Sequence, residues 1–353
     1  MPDESRLFRA RDDDAPTIGD WPMFGLEADV RGFVARAMRA GEAVVVATLV
    51  AAEGGGPRRP GAQMAVTENA LSGFLSGGCI EGDVVMHARD CLRDGRSRRL
   101  VYGEGSPWFD IRLLCGRRIE LFVERLTLAD AALGRLLALT AARREVLWLS
   151  DGRRRLCLAE DETIPDNRKC PPVSREDAGT WPGGVFIRYR PAVRLMVHGR
   201  DPSALALASL GVQAGFETTL VRRDGPPTPP PLAGVAYRRD LPVAADLDPR
   251  TAVVVANHDP EADEAAVLTA LGAPAGYIGL LGARAHLDAH HARLIAAGVA
   301  PNALAHLKAP VGLPLNSHTP WEIAVSVIAE IMQVFNSPTA AGGSRIDFLP
   351  SAS

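Results

Sequence analysis

From Val193 onward, short apolar strands alternate with helices at a spacing that leaves few folds open. Leu195-Met-Val-His198 reads as a strand and Gly199-Arg-Asp-Pro-Ser203 as a turn. A helix follows to Ala214, Gly215 stops it, and Glu217–Val221 is the next strand. Strand, turn, helix and strand within about 30 residues make a βαβ unit. A third strand over Thr251–Ala256 leads to a helix over Glu261–Leu271, and a fourth over Gly276–Leu280 leads to a helix over Arg284–Ala297. Such alternation predicts a parallel, doubly wound sheet of the Rossmann-like kind. Thr319-Pro320-Trp321-Glu322 supplies an N-cap threonine, a proline at the first helical position and a glutamate at the third. This capping box predicts a last helix running to about Phe335.

The first half follows a different pattern. Glu27–Arg39 carries apolar residues at helical spacing, and the β-branched run ending at Val50 reads as a buried strand. A hairpin is expected around Glu68-Asn69, a helix from about Ile80 to Arg93 stopped by Gly95, and strands near 98–102 and 118–124. Asp130 is placed to cap a helix to Arg143, and two short strands, Val146–Ser150 and Arg155–Ala159, flank a turn at Asp151-Gly152. The fold class is therefore α/β. Its expected organisation is a mobile segment over 1–25, a mixed α/β domain over 26–160, a linker over 161–184 rich in Pro, Gly, Asp and Arg, a Rossmann-like domain over 185–335 and a disordered tail over 336–353.

Composition removes several function classes. Lys+Arg is 39 and Asp+Glu 42, a net charge of -3, so there is no basic footprint for nucleic acid. The longest largely apolar run, Ala43–Ala52, is about half a membrane span. The acidic N-terminus lacks the apolar core of a secretory signal. Five cysteines (79, 91, 115, 157, 170) form no CxxC pair, which points to reduced thiols in a cytoplasm.

Four constellations could carry chemistry. In the turn at Gly199, a dinucleotide fingerprint wants a second glycine where Asp201 stands, and an acid at the second strand's end where Arg222 stands. This reads either as a nucleotide or pterin-phosphate pocket with altered contacts or as a scaffold whose cofactor site has decayed. It speaks against NAD(P). The loop Gly54-Gly55-Gly56-Pro57-Arg58-Arg59-Pro60-Gly61 offers backbone amides and two guanidiniums to an anion, or is a solvated surface turn. Ser76-Gly77-Gly78-Cys79-Ile80-Glu81 puts a cysteine at a helix N-terminus, where the dipole favours thiolate, a nucleophile and soft metal ligand. Cys115-Gly116 could lie nearby. Cys91 and Cys157 read as inert core thiols. Fourth, Asn257-His258-Asp259 and Gly279-Leu-Leu-Gly282-Ala-Arg284 fall at strand ends, where open α/β sheets bind ligands. His286 and His290, at i and i+4, suit a metal or a solvated helix face.

These residues resemble a known family. Gly56-Pro57-Arg58-Arg59-x-Gly61-Ala62-x-Met64, Ser76-Gly77-Gly78-Cys79-Ile80-Glu81 and Cys115-Gly116 are similar to the N-terminal domain of the XdhC/CoxI family. Ala256-Asn-His258-Asp259, Tyr277-Ile-Gly279-Leu-Leu-Gly282-Ala-Arg284, Pro310-Val-Gly312-Leu313 and Thr319-Pro320-x-Glu322-Ile323-Ala324-Val325-Ser326 are similar to its Rossmann-like domain. The resemblance spans roughly residues 27–335, in the family's order.

It implies an accessory chaperone, not an enzyme, for xanthine dehydrogenase, carbon monoxide dehydrogenase and related molybdenum hydroxylases. Such proteins bind and protect the molybdenum cofactor (molybdopterin, plain or as its cytosine dinucleotide), support its sulfuration with a cysteine desulfurase, and hand it to the apo-hydroxylase client. A homodimer is also implied. The implied cofactor-binding residues are Gly55, Gly56, Arg58, Arg59, Ser76, Gly77, Gly78, Cys79, Glu81, Cys115 and Gly116, with Gly199, His258, Gly279, Gly282 and Arg284 in the second domain; Cys79 is the candidate molybdenum contact. No catalytic residue is implied. Three positions depart from the family's usual pattern: Asp201 breaks its Gly-x-Gly turn, Arg222 replaces an Asp, and Arg117 stands where Cys-Gly-Gly is common. Two other classes compete: a nicotinamide-dependent oxidoreductase, which the broken fingerprint opposes, and a client-binding scaffold with vestigial pockets.

Overall fold

A computed structural model describes residues 22–56, 58–106, 117–162, 177–181, 184–257, 260–282 and 287–336. The chain divides between Arg190 and Pro191 into two compact units.

The first unit is organised by β1 (Val44–Glu53), whose β-branched residues suit a strand buried on both faces. It lies at the centre of a five-stranded antiparallel sheet. On one side are β2 (Gln63–Val66) and β3 (Leu71–Gly73), the expected hairpin; on the other are β5 (Arg118–Leu126) and β4 (Arg98–Gly103). Period-two alternation sorts its side chains. Val45, Ala47 and Leu49 pack with Val84, Ala88 and Cys91 of α2 (Glu81–Asp94). Val44 and Val46 pack with Val34 and Met38 of α1 (Arg31–Arg39) and with Leu133 and Leu136 of α3 (Ala131–Ala141). A register shift between Leu49 and Ala51 sends Val50 into a separate cluster with Phe122 and Val185. Gly95 ends α2 in the left-handed conformation, and Asp130 caps α3 by accepting from the Ala132 and Leu133 amides, both as the sequence predicts.

A second antiparallel sheet, in the order β7-β6-β9-β8, packs on that face. Its strands are β6 (Val146–Ser150), β7 (Arg155–Ala159), β8 (Ala178–Trp181) and β9 (Gly184–Tyr189). The expected linker over 161–184 therefore needs correction at its C-terminal end. Residues 163–176 lie outside the described residues, but β8 pairs with β9, and Ala178 is buried beside Ile187. Pro and Gly around positions 182–184 read as linker, whereas the apolar Val-Phe-Ile run belongs to a central strand. A buried carboxylate ties the elements together: Glu124 on β5 accepts from Trp148 Nε1 (3.1 Å), Ser150 Oγ (2.7 Å) and Arg155 Nε (2.7 Å). Cys91 and Cys157 are core thiols; burial pushes Cys91 up and takes Cys157 to about 11.

The second unit is the doubly wound sheet. Its strands are β10 (Arg194–Gly199), β11 (Glu217–Val221), β12 (Ala236–Arg238), β13 (Thr251–Ala256), β14 (Tyr277–Leu280) and β15 (Leu307–Lys308). All pairings are parallel, and the order β12-β11-β10-β13-β14-β15 is the 3-2-1-4-5-6 arrangement of dinucleotide-binding folds. On one face, Leu195 and Val197 pack with α4 (Pro202–Gln213) and α7 (Pro320–Asn336). On the other, Met196, Val253 and Val255 pack with α5 (Pro260–Leu271) and α6 (Leu287–Ala296). The capping box is present: Glu322 accepts from the Thr319 amide at 2.9 Å, and Thr319 Oγ1 from the Glu322 amide at 3.3 Å. Among the described residues, no helix is long and apolar enough to cross a membrane.

Candidate functional site

In the first unit, register brings the motif loops to one end of one sheet. Thr48 of β1 pairs with Gln63 of β2, and Met64 pairs with Gly73 of β3. Glu53 pairs with Arg118, and Arg118 with Gly103 of β4. The β1–β2, β3–α2 and β4–β5 connections all leave from that end.

The glycine loop is stitched to its neighbour. The Arg117 amide donates to the Glu53 carbonyl at 2.9 Å, and the Glu104 amide to the Arg117 carbonyl at 2.8 Å. Gly54 has φ +77°, a conformation that favours glycine, and a Cβ there would make a tight 3.0 Å contact with the Arg117 amide nitrogen. Gly55 and Gly56 are exposed beyond it. Arg58 is half-buried and Arg59 exposed, and among the described residues neither guanidinium has a carboxylate partner. Burial pulls the Arg58 guanidinium below its ordinary range. It remains charged at neutral pH. Arg117, which departs from the family's usual pattern, pairs with Glu104 at 3.1 Å.

The second loop is braced from beneath. Glu81 is wholly buried, and its carboxylate accepts from the Leu75 amide (3.2 Å), the Ser76 amide (2.7 Å), Ser76 Oγ (2.8 Å) and the Ile80 amide (3.3 Å). Nominated as a ligand contact, it serves the loop itself. Gly77 and Gly78 are exposed above, and Cys79 is partly exposed with Sγ 3.5 Å from Ser76 Oγ. Ile80 and Glu81 begin α2, so Cys79 stands at a helix N-terminus as expected. Cys115 and Gly116 lie outside the described residues.

In the second unit, the turn after β10 is tight. A Cβ on Gly199 would meet Ala204 Cβ at 2.5 Å and the Ala256 carbonyl at 2.9 Å. Asp201 is the N-cap of α4, its carboxylate accepting from the Ala204 amide at 2.8 Å. It occupies the helix end that a pyrophosphate takes in dinucleotide folds. Gly279 is buried inside β14 and Gly282 follows that strand. His258, Arg284 and His286 lie outside the described residues. His290, half of the proposed i, i+4 pair, has its Nδ1 2.9 Å from Arg293. The candidate residues read from the sequence do not include His198, the penultimate residue of β10. It is buried at 2% exposure, and its Nε2 has no hydrogen-bond partner among the described residues. The available signal was a histidine closing an apolar strand just before the turn.

Family comparison decides the lineage. Residues 37–103 match the model of the XdhC and CoxI family, and residues 195–331 match the XdhC Rossmann domain. The molybdenum cofactor insertion chaperone PaoD of Escherichia coli K12 is 31% identical over 306 residues, 86% of each chain.

The chain belongs to the XdhC and CoxI family.

A second relative, from Bacillus subtilis and named as a probable component of xanthine dehydrogenase, is 27% identical over 334 residues, 83% of this chain and 93% of that one. The crystal structure of a Bacillus halodurans protein described as a xanthine dehydrogenase superposes with a TM-score of 0.64 at 22% identity, covering 88% of this chain and 99% of that one. That likeness shows the shared fold. The matched family segments contain both braced loops of the first unit and the whole parallel sheet except the first residue of β10.

Proposed function

We propose that this XdhC/CoxI chain is a non-catalytic maturation factor. It binds the molybdenum cofactor, supports its sulfuration and delivers it to a xanthine dehydrogenase-type apo-hydroxylase. The observation that carries this reading is the half-buried Arg58, unpaired among the described residues, at the same sheet end as the partly exposed Cys79. The name of the PaoD relative supports it.

The donor set fits such a cargo. A pterin phosphate is a dianion, and Arg58, Arg59 and the exposed amides of Gly55 and Gly56 offer charge and N–H donors to it. Among the described residues no three His, Cys, Asp or Glu side chains gather to hold a bare metal ion. When bound, the cofactor supplies molybdenum and its exchangeable terminal oxygen or sulfur. Cys79 offers a soft donor sulfur at the metal. Ser76 and Glu81 brace the loop that carries that sulfur, and Arg58 would hold the phosphate. The cargo is plain molybdopterin or its cytosine dinucleotide, and the remaining partners are a cysteine desulfurase and a second copy of the chain, in the cytoplasm.

The test is purification from cells that make molybdopterin, with molybdenum measured by mass spectrometry and the released pterin by fluorescence after oxidation. Near-stoichiometric cofactor is expected for the wild type, with at least a tenfold loss in Arg58→Gln and Cys79→Ala at unchanged melting temperature. A wild-type chain empty even when offered free cofactor would overturn the carrier role.

A further inference from the structure

We infer that the crevice at the C-terminal ends of β10, β11 and β13 is a second binding site, for a nucleoside monophosphate. Arg222 and Arg223 would hold the phosphate, and His198 would meet the sugar or base. The inference is independent of the cofactor site in the first unit.

Topology places the crevice. The strand order reverses between β10 and β13, and ligands of open α/β sheets bind outside the strand ends at such a point. His198, Arg200, Arg222 and Arg223 line it. Among the described residues none of the three guanidiniums has an ion-pair partner, and the lining contains one acid, Asp224. Two positive charges are left over. Val221, Leu241 and Ala265 give the same crevice apolar wall, which a bare inorganic anion does not need and a ribose or base does.

His198 makes the site more than a charged rim. Its Nε2 is buried without a partner among the described residues, and a buried polar atom left unpaired costs free energy unless something arrives to meet it. Burial, with Arg238 nearby, takes the ring to about 4, so it is neutral at physiological pH. A neutral imidazole meets a hydroxyl or a ring N–H as well as it does an amide. The phosphate, in contrast, is left to the arginines.

Asp201 defines the ligand's size. A dinucleotide needs its pyrophosphate at the N-terminus of α4, and the Asp201 carboxylate already accepts from the Ala204 amide there. The free positive charge lies instead at the end of β11, where folds of this order meet the ribose. One phosphate fits this arrangement and a bridging pyrophosphate does not.

The experiment is calorimetric titration of the full-length apoprotein with cytidine and adenosine monophosphates, NAD and inorganic phosphate, alongside NMR of protein labelled with 15N-histidine. At least one monophosphate should bind at least tenfold more tightly than NAD or inorganic phosphate, and shift the His198 Nε2 resonance. Arg222→Gln and Arg223→Gln should each weaken it about tenfold with unchanged thermal melts. If Arg222→Gln does not fold, Arg222→Lys keeps the charge and loses the planar fork, and weakening is again expected. Absence of monophosphate binding at millimolar concentration, binding that the arginine variants leave intact, or equal affinity for inorganic phosphate would each overturn the assignment. Because no molybdenum cofactor enters the assay, its failure would leave the carrier reading standing, and the reverse holds too.

Discussion

Glu81→Gln tests whether the Cys79 loop is held by one buried carboxylate. In the wild type two oxygens receive four donors: the Leu75, Ser76 and Ile80 amides and Ser76 Oγ. Glutamine keeps the shape but turns one acceptor into a donor and removes the charge. If its nitrogen replaces Oε2, the Ser76 hydroxyl can turn to accept from it, but the Ile80 amide cannot. One buried donor left unpaired costs about 1–3 kcal/mol, and two surviving bonds that drop from charge-assisted to neutral cost roughly 1 kcal/mol more. The flipped amide is worse, since it faces the Leu75 and Ser76 amides. The expected loss is therefore about 3 kcal/mol, a large part of a typical domain's stability and about 6–12 °C in the melting temperature of a domain this size. Urea unfolding followed through Trp148, buried in the same unit, reads the stability. Labelling of Cys79 with a chromogenic disulfide reads the loop and should accelerate. A variant within about 1 kcal/mol of wild type, with unchanged labelling, would refute the idea that this carboxylate sets the loop.

Three further outcomes are expected. Thr319→Ala removes the N-cap of α7 and should cost about 1 kcal/mol by urea unfolding of the full chain; no measurable change would mean that the cap is redundant with the Glu322 bonds. His198 is taken to about 4 from an ordinary 6.5, so the unfolded chain binds the proton more readily. Its contribution to stability is present above the unfolded value and is lost as pH falls from about 6.5 to about 4, amounting to about 3 kcal/mol at full extent. Subtracting the pH dependence of His198→Gln isolates it, and identical curves would refute it. Asp201→Ala should cost about 1 kcal/mol of stability and Asp201→Gly only a few tenths, a difference that differential denaturation of the two variants can resolve.

Much of the fold was legible because its elements carry strong local signals. The run Val44-Val-Val could only be a buried strand, and Asp130, Gly95 and Thr319 marked helix ends that the backbone then uses. β12 and β15 escaped because three and two residues are too few to show a period. β8 and β9 escaped because turn-forming residues surround them, and their burial depends on β6, which is distant in sequence. The loops of the site were legible as glycine, arginine and cysteine. What they lacked was the register that gathers them at one sheet end. Glu81 shows the same limit: an acid at a helix start reads as a cap or a ligand contact, and only the fold shows its oxygens already taken. Glu124 and His198 are the converse, polar residues in apolar surroundings whose partners, or lack of them, come from strands far along the chain.

The Asp201 cap bears on how the second unit behaves in a cell full of nucleotides. A side chain one turn from its target amide acts as a tethered anion at an effective concentration on the order of millimolar or more. A free dinucleotide must outcompete a rival that never diffuses away. The helix end is thus capped from within the chain. For the carrier proposed above, this means that the start of α4 is held by the chain's own carboxylate and needs no outside anion to cap it.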